Sequence, residues 1–263
     1  MINPTHQFRF FLSFLICIST NLVINNSYAI TGREVMELVD KHNQGHIGSS
    51  SVMEMTLIDA HNNQVQRVMK SINKEAPKNV DYGEKSITEF LRPLDVKGTK
   101  LLTWTMKKGA NKQWLYLPNF KRIKKINSKN QSGSFMGSEF SYEDIAGQEI
   151  DKYQYKLLKE NSDNWVVESI PINDSGYSKM ITTISKKYSN PIKVEYFDRR
   201  GELLKTSTIE GHKSYSVKKK KIFFPGQVTM INHQNQKKSV IKWSDRKVGV
   251  EHSDSKFKSQ KLK

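Results

Sequence analysis

Cysteine is all but missing from this sequence. Cys17 is the only one in 263 residues, so no disulfide can form within the chain, and the fold has to be held by its core, which a chain of this length can build. Acid is scarce as well, with 26 Asp and Glu against 43 Lys and Arg and a net charge of +17. Long apolar runs are lacking. The longest, FFLSFLICISTNLVI from Phe10 to Ile24, falls short of the roughly 20 residues that a membrane-spanning helix needs. Catalytic signatures are lacking too: there is no nucleophile elbow, P-loop, dinucleotide fingerprint or zinc-protease helix motif. His42 and His46 stand four apart, but Gly45 interrupts the helix that would align them, which argues against a metal site. Glu143 and Asp144 are adjacent and read as capping charges rather than a catalytic pair. No cofactor is expected, and the chain does not read as an enzyme.

What is present begins with an export signal. Arg9, the apolar run and then Ser27 and Ala29 at the small positions of a cleavage site make the three parts of a secretory signal peptide over residues 1–29, with cleavage after Ala29. Ile16 precedes Cys17 where a lipoprotein signal carries a small residue, so lipidation is not expected. The mature chain keeps 42 basic and 26 acidic residues, a net charge of +16. Export makes nucleic acid an improbable target for that charge; an anionic membrane surface, anionic lipid headgroups or an acidic partner fit better.

One helix is clear. In ITGREVMELVDKHNQG, Thr31 and Glu34 stand in capping-box register, Ile30 and Val35 can staple, and Val35, Met36, Leu38 and Val39 form one apolar stripe before Gly45. From Ser50 onward the period is two. Met53, Met55 and Leu57 share one face, as do Leu102, Trp104 and Met106, and Ile192, Val194 and Tyr196. DAHNNQ, KENSDN, FDRRGE and NHQNQKK read as hairpin turns. Roughly ten strand candidates joined by short turns make an antiparallel meander rather than βαβ units. A second, short helix follows Ser141, with Glu143 and Asp144 in its first turn. The expected architecture is mainly β: an unclosed antiparallel β-barrel, or half-barrel, with a small helical lid. Residues 30–252 form its single domain, and residues 253–263 form a basic, disordered tail.

The stretch SGSFMGSEFSYEDI places Phe135, Met136, Phe140 and Tyr142 among glycines and serines without helical or strand periodicity, and reads as a mobile gate at a cavity mouth. In QWLYLP, Trp114 and Tyr116 alternate with Leu115 and Leu117, so neither face of that strand suits water; one can line a cavity or both can be sandwiched. Lys121, Arg122, Lys124 and Lys125 then surround Ile123, either as a solvated edge that deters strand addition or as headgroup or partner contacts at the rim.

FLRPLDVKGTKLLTW, QWLYLPNFKRIKKI and GSFMGSEFSYEDI together resemble the outer-membrane lipoprotein-sorting protein family, relatives of the LolA carrier often associated with exporters of the resistance-nodulation-division (RND) type. The resemblance spans Phe90 to Ile145. It implies a periplasmic, LolA-like fold around an apolar cavity for lipid acyl chains or a lipoprotein, and an RND-type exporter of the inner membrane as partner. Trp104, Trp114, Tyr116, Phe135, Met136, Phe140 and Tyr142 are then the cavity or lid candidates, with Lys121, Arg122, Lys124 and Lys125 at the rim. The function that follows is a carrier moving lipid or lipidated protein towards the outer membrane. The alternative is a ligand-binding sensor that regulates a membrane protein on the same fold.

Overall fold

The period-two pattern becomes fifteen strands in a computed structural model that describes residues 29–77 and 79–263. The export signal and its cleavage point, Ala29 apart, lie outside the described residues. Thirteen strands form one open antiparallel sheet: β1 (Gly48–Ile58), β2 (Gln64–Glu75), β3 (Tyr82–Arg92), β4 (Lys100–Met106), β5 (Lys112–Leu117), β6 (Arg122–Ile126), β7 (Tyr153–Glu160), β8 (Asn164–Pro171), β9 (Lys179–Ser185), β10 (Asn190–Phe197), β11 (Leu203–Glu210), β14 (Gln227–Asn232) and β15 (Lys238–Val248). The remaining two, β12 (Lys213–Val217) and β13 (Lys220–Phe224), pair as a separate hairpin. All four expected hairpin segments connect neighbouring strands, and Gly201 adopts the left-handed φ of +83° that closes the third.

The chain starts at the centre of the sheet with β1, steps outward hairpin by hairpin to the edge strand β6, and crosses to the opposite edge, β7. From there it steps back inward until β15 pairs with β1. Strands β6 and β7 do not pair, so the barrel stays open. The crossing segment, residues 127–152, carries the second helix, α2 (Tyr142–Ala146), capped by Ser141 in a reciprocal box with Asp144.

The first helix, α1 (Gly32–Asn43), starts in the expected capping box: the Glu34 carboxylate accepts from Thr31 N–H at 2.7 Å, and the Thr31 hydroxyl accepts from Glu34 N–H. Val35 and Val39 pack on Val167 and Ile184, with Ile30 and Met36 at the margin. Leu38, expected in the stripe, is 49% exposed, because the contact with the sheet is narrower than the apolar face. Gly32 is required where it stands: a Cβ there would meet the Lys156 and Leu157 backbone of β7 at 2.7 Å. No helix among the described residues is long and apolar enough to cross a membrane.

The sheet is covered on both faces. The inner face holds the main core, where Met55, Met69, Phe90 and Leu101 meet Phe135 and Phe140 of the crossing segment. On the outer face, Leu102 of β4 packs with Phe257 and Leu262 of the C-terminal tail, bordered by Trp104, Trp114 and Tyr116. The tail is therefore ordered rather than disordered as its basic composition suggests, running as two short 3₁₀ turns, Asp254–Phe257 and Ser259–Lys261. Lys256, Lys258, Lys261 and Lys263 stay exposed while Phe257 is fully buried. Trp104 Nε1–H donates to the Phe257 carbonyl at 2.9 Å, and Asp254 accepts from Lys74 at 2.9 Å. Two apolar side chains in this tail outweigh four lysines because the lysines never leave water.

Candidate functional site

Antiparallel strands that curve around an incomplete cover leave space on the inner face. Here that space is a cavity of about 540 Å³ between α1, α2 and the sheet. Its apolar wall is set by the period-two alternation: Met53 of β1, Met180 of β9, Val194 of β10, Met230 of β14, and Ile241 and Trp243 of β15 all point inward. Tyr153 and Tyr155 of β7, Tyr177, and Tyr196 of β10 also line it. Burial raises the phenol pKa of Tyr153, Tyr155 and Tyr196 far above the ordinary value, so all three stay neutral hydroxyls.

The lid helix is tied down by charge. Lys205 of β11 donates to Asp144 at 2.6 Å and to the Glu139 carbonyl at 2.9 Å, and both charged side chains are only 5% exposed. Tyr177 donates its hydroxyl to the other Asp144 oxygen at 2.8 Å. Beside it, Glu143 accepts from the Ser175 hydroxyl and, at 3.0 Å, from Gly176 N–H; burial raises its carboxyl pKa. The adjacent carboxylates read from the sequence as capping charges thus also clamp α2 to the sheet and to the loop before β9.

The polar end of the cavity lies under α1. Asp40 and Asn43 reach it from the helix, Asn73 and Glu84 from β2 and β3, and Tyr155 from β7. Behind them His46 is buried, its Nδ1 3.8 Å from Glu75 and its Nε2 3.4 Å from Glu84. Glu149, on the loop after α2, presses so closely on Gly83 that a Cβ there would meet its Oε1 at 1.8 Å. Burial, then the charge of Asp40, pushes the Glu149 carboxyl up to about 7.

Among the seven cavity or lid candidates, Phe140 alone lines this space. Phe135 is 1% exposed and lies between Phe90, 5.8 Å away centre to centre, and Tyr142 at 5.6 Å. Met136 takes a left-handed φ of +51°, and its carbonyl accepts a hydrogen bond from Arg67 of β2. Met136 and Tyr142 pack half-buried against the same core. The expected mobile gate is thus a plug that fills the inner face, and its serines and glycines serve tight turns rather than freedom. Trp104, Trp114 and Tyr116 are on the other face of the sheet altogether, with the two indoles 5.8 Å apart edge to face beneath the tail. Lys121, Arg122, Lys124 and Lys125 sit on edge strand β6 and the turn before it, exposed and away from the cavity lining.

The sequence reading did not pick out the tyrosines and methionines that do line the cavity. Their signal was present in YQYKLL, which puts Tyr153, Tyr155 and Leu157 on one face, but periodicity tells the face and not whether anything covers it. No group of three or more His, Cys, Asp or Glu side chains among the described residues could hold a metal ion.

A family profile described as an uncharacterized protein matches residues 83–263. No curated protein matches the chain. Among solved structures, the chain is similar to an outer membrane lipoprotein-sorting protein domain from Vibrio parahaemolyticus, at 37% identity and a TM-score of 0.83, over 88% of this chain and 97% of that one. A DUF1329 family protein from Desulfovibrio piger matches at 25% identity and a TM-score of 0.80, over 88% and 98%. A LolA superfamily protein from Nitrosomonas europaea, 20% identical over the same shares, shares the fold with a TM-score of 0.68.

Proposed function

The chain belongs to the outer membrane lipoprotein-sorting protein family, with a LolA-like fold, and from that premise we propose that it is an exported carrier that shields the acyl chain of a lipid or lipidated protein on its way across the periplasm to the outer membrane. The observation that carries this reading is the inner chamber of about 540 Å³, lined by apolar side chains on the sheet and roofed by a helix held in place by charge.

The energetics favour a carrier with a controlled lid. Each buried methylene contributes about 0.8 kcal/mol, so a 16-carbon chain held in full approaches roughly 12 kcal/mol. Release into water from such a site is slow. An acceptor with its own apolar surface has to receive the chain while the lid moves, and an RND-type exporter in the inner membrane is a fitting donor. The Asp144–Lys205–Tyr177 cluster is the natural latch, because its ion pair joins α2 to the sheet beneath it. The excess of basic side chains on the outer surface suits transient contact with anionic membranes at both ends of the journey.

The test is organic extraction of protein purified from the periplasm, followed by mass spectrometry of the extract. The carrier reading expects an amphiphile with a long apolar chain in near-stoichiometric amount. Clean protein with no such molecule, from cells expressing the candidate exporter, contradicts it.

A further inference from the structure

The chamber has two chemically different ends, and their difference selects a headgroup. The sheet side is apolar, set by Met180, Met230, Ile241 and Trp243. The α1 side brings together Asp40 and Glu84, with Glu149 behind them. Two buried polar atoms at this end have no hydrogen-bond partner, the Tyr155 hydroxyl and Asn73 Oδ1. His46 stands behind Glu84 in the same state, buried, with its Nε2 facing the carboxylate at 3.4 Å but not aligned for a hydrogen bond. Buried polar atoms without partners are uncommon and costly, and they mark this end of the chamber as its polar one.

The neighbouring cations are already committed elsewhere. Lys220 donates to the Lys41 and Gln44 carbonyls at the end of α1, Lys152 to Asn111, and Lys205 to Asp144. Lys107 and Lys220 act on Asp40 and Lys107 and Lys152 on Glu149, but none of the three is among the residues that line the chamber. The polar end is therefore rich in acceptors and negative charge inside a protein whose overall charge is strongly positive. The volume narrows the ligand further. About 540 Å³ falls within the roughly 300–1,000 Å³ of sites that enclose one small molecule, so the chamber suits one chain rather than several.

We propose that the chamber takes one apolar chain whose head carries N–H or O–H donors, cationic or hydroxylated, and that it discriminates against an anionic head. This deepens the carrier reading and rests on it. The donors of the head pair with the carboxylates of Asp40 and Glu84, while a carboxylate or phosphate would meet like charge.

Displacement of an apolar fluorescent probe from the mature protein by three amphiphiles with the same 16-carbon chain tests this: hexadecylamine, the glycerol monoester of palmitic acid, and palmitate. The amine and the monoester should displace the probe at concentrations about tenfold lower than palmitate, a difference of about 1.4 kcal/mol. The external charge of the protein draws palmitate most strongly, so that order cannot arise from bulk attraction. Palmitate equal to or better than the other two overturns the headgroup inference and leaves the carrier reading standing. Failure of all three to displace the probe overturns both. The double variant Asp40→Asn with Glu84→Gln, checked for an unchanged melting profile, should bring palmitate level with the others; Asp40→Asn alone, should the pair not fold, should move it part of the way. An unchanged order in a folded variant overturns the assignment of these carboxylates.

Discussion

The two faces of one sheet treat their aromatic and apolar side chains in opposite ways. On the outer face, Trp104, Trp114 and Tyr116 are sealed by Phe257 and Leu262, side chains that the same molecule supplies. On the inner face the crossing segment supplies Phe135 and Phe140, which fill the part over Phe90 and Leu101, but no side chain among the described residues fills the part between α1, β9, β10 and β14. Apolar content is therefore no guide to a ligand site; the guide is whether the chain brings enough of its own side chains to complete the burial. The outer face is finished by folding, and the inner face keeps a chamber.

The sharpest way to break that contrast is to unseal the outer face. Phe257→Ala removes a fully buried ring and should cost about 3–5 kcal/mol, seen as a large drop in melting temperature, with lipid bound per folded molecule unchanged. A loss of lipid in that variant at full stability would mean that the outer face binds cargo. Lys205→Ala attacks the inner face instead. It leaves Asp144 buried without its cation, a change that should cost about 3–5 kcal/mol and, unlike Phe257→Ala, free the lid; hydrogen exchange over Tyr142–Ala146 should quicken more than in the sheet. Lys205→Ala with Asp144→Asn should recover part of the stability, because no charge is then stranded.

A smaller effect concerns pH. Burial and the like charge of Asp40, against the pull of Lys152 and Lys107 and with a further push from Glu84, set the Glu149 carboxyl at about 7. Folded protein thus holds the Glu149 proton more tightly than unfolded protein, and stability falls as pH rises from about 4.5 to 7, remaining lower above that. Glu149→Gln should leave the melting temperature almost unchanged at pH 4 and raise it relative to wild type at pH 8. An equal difference at both values removes Glu149 as the cause.

Much of the fold was legible because it rests on local chemistry. The Thr31–Glu34 box, the Ser141 cap, the four turns and the alternation in SVMEMTLI each depend on neighbours in sequence, and each stands where expected. The covers were harder to read, because a cover is a long-range event. QWLYLP announced that neither face of β5 suits water, yet nothing local to it says that the second cover comes from Phe257, more than a hundred residues later. The tail hid its two apolar side chains among lysines, and the glycine-rich stretch disguised a fixed plug as a moving gate. The polar end of the chamber was least legible of all, since Asp40, Asn73, Glu84 and Tyr155 come from four elements that only the folded sheet brings together.

Filling the chamber tests the account most directly. Ile209 lines it from β11 and is only partly buried, so Ile209→Trp extends a side chain into empty space with little cost to folding. Lipid per mole of folded protein, measured by mass spectrometry on wild type and variant prepared in parallel, should fall from near one to near zero while the melting temperature holds. Lipid retained at the wild-type level in the folded variant would contradict the assignment of the inner chamber as the cargo site.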